Sequence, residues 1–326
     1  MAKPRELRRR IKSVESTRKI TRTMEMVSTS KLKRAQDRVV AARPYAQALG
    51  AVIADLLSPE LAERFPLMRR PAPPGRGGPR RAALLVITSN RGLAGAFNAN
   101  LIRAARERDA ALKAAGYDVD LHVIGKKAVA YFKFVRRPVA LARIDIGDRP
   151  TAQHAEELAA PLIAEYEAGR LASLEVVFAH FKSALVTPPE VLRVLPVEPK
   201  AGPPPGRQER RMGGTLSRRP GGLPDRRAGG RSEPAKPRRA PAYLIRPDAD
   251  ALVGALLPQY VKNQVYRALV ETAASEHGAR RTAMKNATDS AGDMLDLLTR
   301  SYNRARQGQI TQELSEIVGG AEALKG

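Results

Sequence analysis

The sequence predicts two long helices that pair with each other, one at each end of the chain, with a small α/β domain inserted between them. Apolar residues recur at three- and four-residue steps near both ends, and short apolar runs alternate with helical segments in the middle. Aromatic residues make up only 4% of the 326 residues. Few large rings indicate that part of the chain is extended rather than folded around one compact core.

The N-terminal helix is predicted over residues 1–58, with the helical pattern starting near residue 3, because its apolar residues form one narrow stripe. Pro4 suits a first helical turn, and Pro44 is expected to bend the helix. A stripe surrounded by Arg and Lys is typical of a helix packed on a single partner helix. The predicted stripe comprises Leu7, Ile11, Val14, Met24, Val27, Leu32, Ala35 and Val39.

Residues 82–198 are predicted to form the α/β domain, after a basic Pro/Gly linker at 59–81. Alternation of strands with helices favours a mainly parallel sheet. The predicted strands are 82–88, 119–124, 174–181 and 191–197. The predicted helices between them are 96–115, 126–134 and 151–168.

The last two segments differ sharply in composition. Residues 199–241 contain nine Pro and almost no large apolar residue, so we predict a disordered insert. Residues 242–326 are predicted to form the C-terminal helix, with Asp248 as N-cap and with Pro258 as a point where the helix could kink or restart. Its predicted seam comprises Val261, Val265, Leu269, Thr272, Ala279, Ala283, Ala287, Ala291, Met294, Leu298, Tyr302 and Ala305.

Charge and composition limit the classes of function. The net charge of +24 predicts an acidic or polyanionic partner: nucleic acid, an anionic membrane surface or acidic protein surfaces. Residues 1–43 carry +10 and residues 199–241 carry +9, whereas residues 244–326 are neutral. With no Cys, disulfides and Cys-ligated zinc are excluded, and the four scattered His predict no metal site. No apolar run approaches the ~20 residues of a membrane span, so we expect a soluble or peripheral protein.

The segment from Asn90 to Gly95 follows a predicted strand and could be a phosphate-binding turn. It lacks the dinucleotide and Walker A glycine patterns, and a tight strand-to-helix turn is the simpler interpretation. We therefore predict no cofactor and no intrinsic catalytic site.

Four segments resemble the gamma subunits of bacterial F-type ATP synthases. Arg5–Leu49 is similar to the family's first helix, Thr88–Arg103 to its strand-turn-helix, and Gln264–Leu324 to its C-terminal helix. Within the last of these, Ile310–Ala323 (ITQELSEIVGGAEA) fits the family signature. The strand pair around Phe181–Val197 (FKSALVTPPEVLRVLPV) also fits, more weakly. The basic insert and the linker depart from the family pattern.

The resemblance implies a non-catalytic rotor of the central stalk, which couples proton-driven rotation of the membrane c-ring to conformational cycling of the catalytic beta subunits. It implies a coiled coil on the axis of three alpha and three beta subunits, and a foot that rests with the epsilon subunit on the c-ring. It also implies a peripheral location on the cytoplasmic side of the bacterial inner membrane, and it gives no reason to expect a specific nucleic acid.

The resemblance also implies roles for individual residues. Those matching positions that contact beta or affect coupling are Met24, Lys19, Arg22, Lys31, Lys33, Arg280, Gln307, Thr311 and Glu313. Those matching a tip that turns inside an apolar collar are Ile317, Val318, Ala321 and Leu324. From the residues alone, Met24 fits a coiled-coil seam equally well, and the cations fit a solvated helix face.

Two other functions remain open from the residues alone. A basic nucleic-acid-binding protein with long helices would explain the charge and predicts steep salt dependence, although aromatics are few and no nucleic-acid motif is present. A nucleotide-dependent α/β enzyme would explain the central domain and predicts turnover by the isolated chain. The insert, for its part, suggests peripheral contact with anionic lipid headgroups.

Overall fold

The computed structural model describes residues 4–56, 64–69, 71, 80–197 and 249–323. Helix α1 spans Pro4–Leu56 and helix α5 spans Ala249–Ala323. Between them, in chain order, lie β1 (Arg81–Ile87), α2 (Phe97–Ala114), β2 (Asp118–Ile124), α3 (Lys126–Phe134), β3 (Leu141–Arg143), α4 (Ala152–Glu167), β4 (Ser173–Ala179) and β5 (Pro189–Leu195). The predicted insert at 199–241, the N-cap Asp248, the tip residue Leu324 and linker residues 59–63 and 72–79 lie outside the described residues.

The five strands form one sheet in the order β3-β2-β1-β4-β5. Strands β1 to β4 all run parallel to one another, and β5 is antiparallel to β4. The predicted mainly parallel α/β domain is therefore confirmed. Strand β3 was missed because three residues at a sheet edge, none of them fully buried, form no apolar run.

Helices cover both faces of the sheet. Helices α2 and α3 pack on one face, around Leu84, Leu101 and Phe132. Helices α4 and α5 pack on the other, where Leu257 and Val265 of α5 join the core. Because burying such a side chain stabilises by roughly 1.5–3 kcal/mol, this face of the sheet fixes the first half of α5 to the domain.

Helices α1 and α5 form the predicted antiparallel pair. Thr288 Oγ1 lies 2.8 Å from Thr21 Oγ1, and Gly50, later in α1, lies beside Tyr260, earlier in α5. Both helices continue without a break through Pro44 and Pro258, so the restart considered at Pro258 is wrong.

The predicted seam is wrong at two positions. Val27 and Met294 are 51% and 52% exposed, whereas Ser28 is buried. One residue along a helix turns the side chain by about 100°, so at this level the seam passes through Ser28 rather than through its apolar neighbour.

Candidate functional site

The two ends of α5 have different surroundings. From Val253 to Met284 the helix carries buried residues that face the α/β domain and α1. From Arg306 to Ala321 every residue is exposed. Extending the Thr21–Thr288 pairing at equal rise brings the start of α1 beside Ala305, so the last turns of α5 project as a single helix for about 27 Å. We call residues 306–323 the bare tip.

Most residues predicted for the C-terminal contacts lie on the bare tip. Gln307, Thr311 and Glu313 are exposed, and the bonds shown for them stay within the helix, such as Thr311 Oγ1 to the Gln307 carbonyl at 3.0 Å. Ile317, Val318 and Ala321 are also exposed.

Ile310 and Leu314 extend these apolar residues into a stripe, because residues 310, 314, 317, 318 and 321 recur at helical spacing. An exposed apolar face of this kind marks an interaction surface. Ile310 was not among the predicted tip residues, although its four-residue spacing from Leu314 places both on one helix face.

The predicted basic residues on α1 divide into two groups. Lys19, Arg22 and Lys33 are exposed, and Lys19 and Lys33 each pair with an acidic residue one turn away. Lys31 instead contacts the α/β domain, with Nζ 2.5 Å from Asp148 Oδ2. Met24 is half-buried, as a residue at the edge of the helix seam would be.

Arg280 is buried rather than presented to solvent. Its Nη2 donates to Glu276 Oε1 at 2.6 Å and its Nε to the Gly92 carbonyl at 3.2 Å. Gly92 belongs to the predicted strand-to-helix turn, which Asn90 ties down by donating to the carbonyls of Ile144 and Ile146. The turn therefore attaches the α/β domain to α5 at this point.

Burial shifts the pKa values of the groups around Arg280. It raises the pKa of Glu276 and lowers the pKa of His277 to about 4. Burial would also raise the pKa of Asp148, but the hydrogen bond from Lys31 and nearby positive charges outweigh it and lower that pKa. A neutral His277 thus sits among charged groups at neutral pH.

A second buried cluster was missed by the sequence analysis. Glu271 accepts from Phe181 N at 3.2 Å and from Arg267 Nε at 2.7 Å, and His180 Nδ1 lies 2.6 Å from its Oε2. Two neighbours on α5 complete the cluster by bonding the Ala179 backbone. Two Arg–Glu pairs at four-residue spacing in an otherwise small and apolar segment were the available signal. We call Glu271, Thr272, Ser275, Glu276 and Arg280 the polar clamp.

Two further findings concern the described part of the chain. No three His, Asp or Glu side chains in it are grouped so that they could hold a metal ion. No helix in that part combines the length and the apolar character needed to cross a membrane.

Comparison with known proteins identifies the family. The family model for ATP synthase matches residues 3–324. The ATP synthase gamma chain of Gemmatimonas aurantiaca is 51% identical over 326 residues, covering 100% of both chains. That of Leptospira biflexa is 40% identical over 324 residues, covering 99% of this chain and 100% of the relative.

Solved structures share the fold at lower identity. A chain in the rotor of Euglena gracilis mitochondrial ATP synthase has a TM-score of 0.58 at 19% identity, covering 94% of this chain and 98% of that chain. One in the central stalk and c-ring of the Tetrahymena thermophila enzyme has a TM-score of 0.52 at 18% identity, covering 82% and 99%. The chain therefore belongs to the ATP synthase gamma chain family, as a non-catalytic subunit of that enzyme.

Proposed function

We propose that this gamma chain couples proton-driven rotation of the membrane c-ring to the conformational cycle of the catalytic beta subunits. The observation that supports it best is the contrast along α5. One part of the helix is fixed to a globular domain, and the other ends as an exposed tip. At 75 residues, α5 is about 110 Å long, which is enough to reach from a foot near a membrane into a catalytic head.

The proposed partners follow from this arrangement. Three alpha and three beta subunits would surround the bare tip and the neighbouring part of the α1–α5 pair. The opposite end of that pair, with the α/β domain, would be the foot that rests with epsilon on the c-ring. The Tetrahymena structure contains a central stalk with a c-ring, and a Euglena structure contains F1 with a c-ring. We accordingly propose a peripheral location on the cytoplasmic side of the bacterial inner membrane.

A shaft changes a catalytic site only if it binds the conformations of that site unequally. Moving a two-state site from mostly one form to mostly the other takes about 5.5 kcal/mol of differential binding. Residues 1–43 carry +10 and residues 244–326 are neutral, so opposite sides of the shaft differ in potential. Exposed Lys19, Arg22 and Lys33 would face acidic surfaces of beta near Met24 as the shaft turns.

Lys31 and Arg280 would act differently from the other coupling residues. Both bond to the α/β domain, so we propose that they affect coupling by holding that domain on the shaft. Gln307, Thr311 and Glu313 would contact beta directly. Ile317, Val318, Ala321 and Leu324 would turn inside an apolar collar, where non-directional contacts do not hold the tip at one angle.

The basic insert at 199–241 is proposed to touch anionic lipid headgroups. Each basic residue near such a surface contributes about 1 kcal/mol at most. Deleting residues 200–240 should make retention of the complex on membranes less sensitive to salt, and unchanged retention would remove the idea.

The first experiment tests the assembly. A tagged chain should bring alpha and beta subunits out of solubilised membranes, and isolated chain should show no ATP turnover until it is reconstituted with them. A nucleic-acid-binding protein would instead give a gel shift at ordinary salt and no co-purification with these subunits.

The second experiment tests the bare tip. Glu313→Ala is compared with Glu316→Ala, which removes another exposed carboxylate from the same tip. Loss of a charged hydrogen bond to a partner should lower ATP hydrolysis by the assembled enzyme about ten-fold or more for Glu313→Ala. The Glu316 variant should stay close to wild type, and equal losses would contradict a specific contact at Glu313.

A further inference from the structure

We propose that Glu271 is a positioning residue for torque transfer, because it fixes the angular register of the α/β domain on the coiled coil. The inference rests on the proposed rotor function. It concerns a step within this chain: how rotation of the α/β domain is passed to the coiled coil of α1 and α5 without slippage between them.

The contacts of Glu271 join the shaft to the end of a central strand. Its side chain is 2% exposed, and its Oε2 lies within hydrogen-bond distance of both His180 Nδ1 and Phe181 N, just beyond β4. The next residues continue the attachment, since Thr272 Oγ1 accepts from Ala179 N and Ser275 Oγ donates to the Ala179 carbonyl. Three consecutive residues at the end of β4 are thus held by one face of α5.

Before Glu271, the contact between α5 and the domain is mostly apolar and cannot fix a register in the same way. Lys31 with Asp148 and Arg280 with Gly92 hold other parts of the domain. Val253, Leu257, Val261, Val265 and Leu269 pack against the sheet and α4. Apolar contact is non-directional, so it resists separation of two surfaces more than it resists sliding between them. Hydrogen bonds depend on both distance and angle. The bonds of Glu271 therefore resist the sliding motion that torque would impose.

Close backbone packing extends the attachment along α5. A Cβ on Gly278 would lie 2.9 Å from the Ala184 carbonyl oxygen, so the connection between β4 and β5 rests directly on the helix. A Cβ on Gly95 would lie 3.8 Å from that of Ala283. The hydrogen bonds of Glu271 and the approach of Gly95 to Ala283 are about three helical turns apart along α5. Together they fix both the position and the angle of the domain on the helix.

The test uses complete ATP synthase in membrane vesicles, with ATP hydrolysis and ATP-driven proton pumping measured in the same sample. Glu271→Ala should keep most of the hydrolysis but lose about two-fold or more of the protons pumped per ATP. The matched control is Glu156→Ala, which removes an exposed ion pair between α4 and Lys262 of α5. Such a pair contributes little, so pumping per ATP should stay at the wild-type value.

A covalent rescue separates positioning from folding. The chain contains no Cys, and the 3.8 Å between the Gly95 and Ala283 Cβ positions matches a disulfide. Gly95 has a φ of +58°, so a Cys there is strained, and the Gly95→Cys/Ala283→Cys pair is first shown to assemble and pump in the wild-type background. Its disulfide should then lock the domain to α5 at a site away from Glu271. In the Glu271→Ala background, oxidation should restore pumping per ATP and reduction should remove it again.

Each outcome decides the question. A cross-link that forms but restores nothing would overturn the proposal, as would unchanged coupling in Glu271→Ala. If Glu271→Ala does not assemble, Glu271→Gln takes its place, since it keeps one acceptor oxygen. Failure of both to assemble, with or without the cross-link, would assign Glu271 to folding and overturn the proposal. Absence of ATP-driven pumping with the wild-type chain would instead contradict the proposed rotor function.

Discussion

Two parts of one helix, α5, carry similar apolar residues in opposite surroundings. Val261 and Val265 are fully buried between the sheet and α4, whereas Ile317 and Val318 on the bare tip are exposed. The difference arises because neither α1, which starts beside Ala305, nor the α/β domain extends along the bare tip. Helix α5 is thus longer than the core of its own chain can cover. Its apolar residues are therefore divided between intramolecular packing and a surface that we assign to other subunits.

Polar residues divide in the same way. In the polar clamp, Glu271 and Glu276 are buried and each is paired with Arg one turn away. On the bare tip, Glu313 and Glu316 each accept a hydrogen bond from Gln one turn away. Breaking the Glu276 pair is costly because the Arg280 left behind would be buried, whereas exposed pairs contribute little. Substitutions should therefore act within the chain in the first part, on its stability or on the attachment of the domain, and on assembly in the second.

The largest expected difference comes from placing a carboxylate in each part. Val261→Asp puts an unpaired charge into the core and should lower the free energy of unfolding by about 4 kcal/mol or more. Ile317→Asp lies on the bare tip, where the side chain is 71% exposed, so the change should stay within about 0.5 kcal/mol. Urea unfolding of the full chain, followed by circular dichroism, measures both. Similar losses would contradict the division of α5.

The sequence was sufficient to predict what depends on local pattern. The helical periodicity and the alternation of apolar runs located both long helices, the three short helices and four of the five strands. The surroundings of single residues were harder to predict. Val27 and Met294 fit a helical stripe by their spacing in the sequence, but both are exposed. The actual seam depends on how the two helices wind round each other.

The candidate site could be predicted only in part, for a related reason. The bare tip follows from where α1 starts relative to α5, which the pairing of the helices decides. The role of Lys31 and Arg280 within the chain depends on Asp148 and Gly92, which lie more than a hundred residues away in sequence. No local pattern reveals such partners, and the same holds for Glu271 and the end of β4.

An effect of intermediate size on stability is expected from pH. It acts through His277, which lies in the part of α5 that carries the polar clamp (the clamped part). Its pKa is lowered to about 4 by burial, against an ordinary value near 6.5. Between these values the unfolded chain binds a proton that the folded chain does not. Stability is therefore full above pH 6.5 and falls as the pH drops towards 4, by roughly 2–3 kcal/mol. The charged groups facing His277 are Asp148, Arg280, Lys31 and Arg91.

The matched variant for this effect is His277→Gln, which removes the titrating group. Its unfolding free energy should depend less steeply on pH between 6.5 and 4 than that of the wild type. Burial raises the pKa of Glu276, which acts in the opposite direction over part of this range, so the difference between the two slopes is the measured quantity. Identical slopes would show that His277 does not titrate as described.

The smallest effect comes from one substitution made in both parts, Gly to Ala inside a helix. At Gly278 the new Cβ would meet the Ala184 carbonyl at 2.9 Å. Overpacking costs about 1–3 kcal/mol, which exceeds the roughly 1 kcal/mol gained in helix propensity. At Gly308 nothing lies within 4 Å, so Gly308→Ala should stabilise the helix locally by about 0.5–1 kcal/mol.

The two glycine variants also require different measurements, because the bare tip can unfold without the core. Gly278→Ala should lower the unfolding midpoint of the whole chain. Gly308→Ala should leave that midpoint unchanged and instead slow amide hydrogen exchange around residue 308, since exchange there reports local opening. A change of global midpoint with Gly308→Ala would mean that the tip folds as one unit with the clamped part, and stabilisation by Gly278→Ala would mean that the strand connection does not rest on α5.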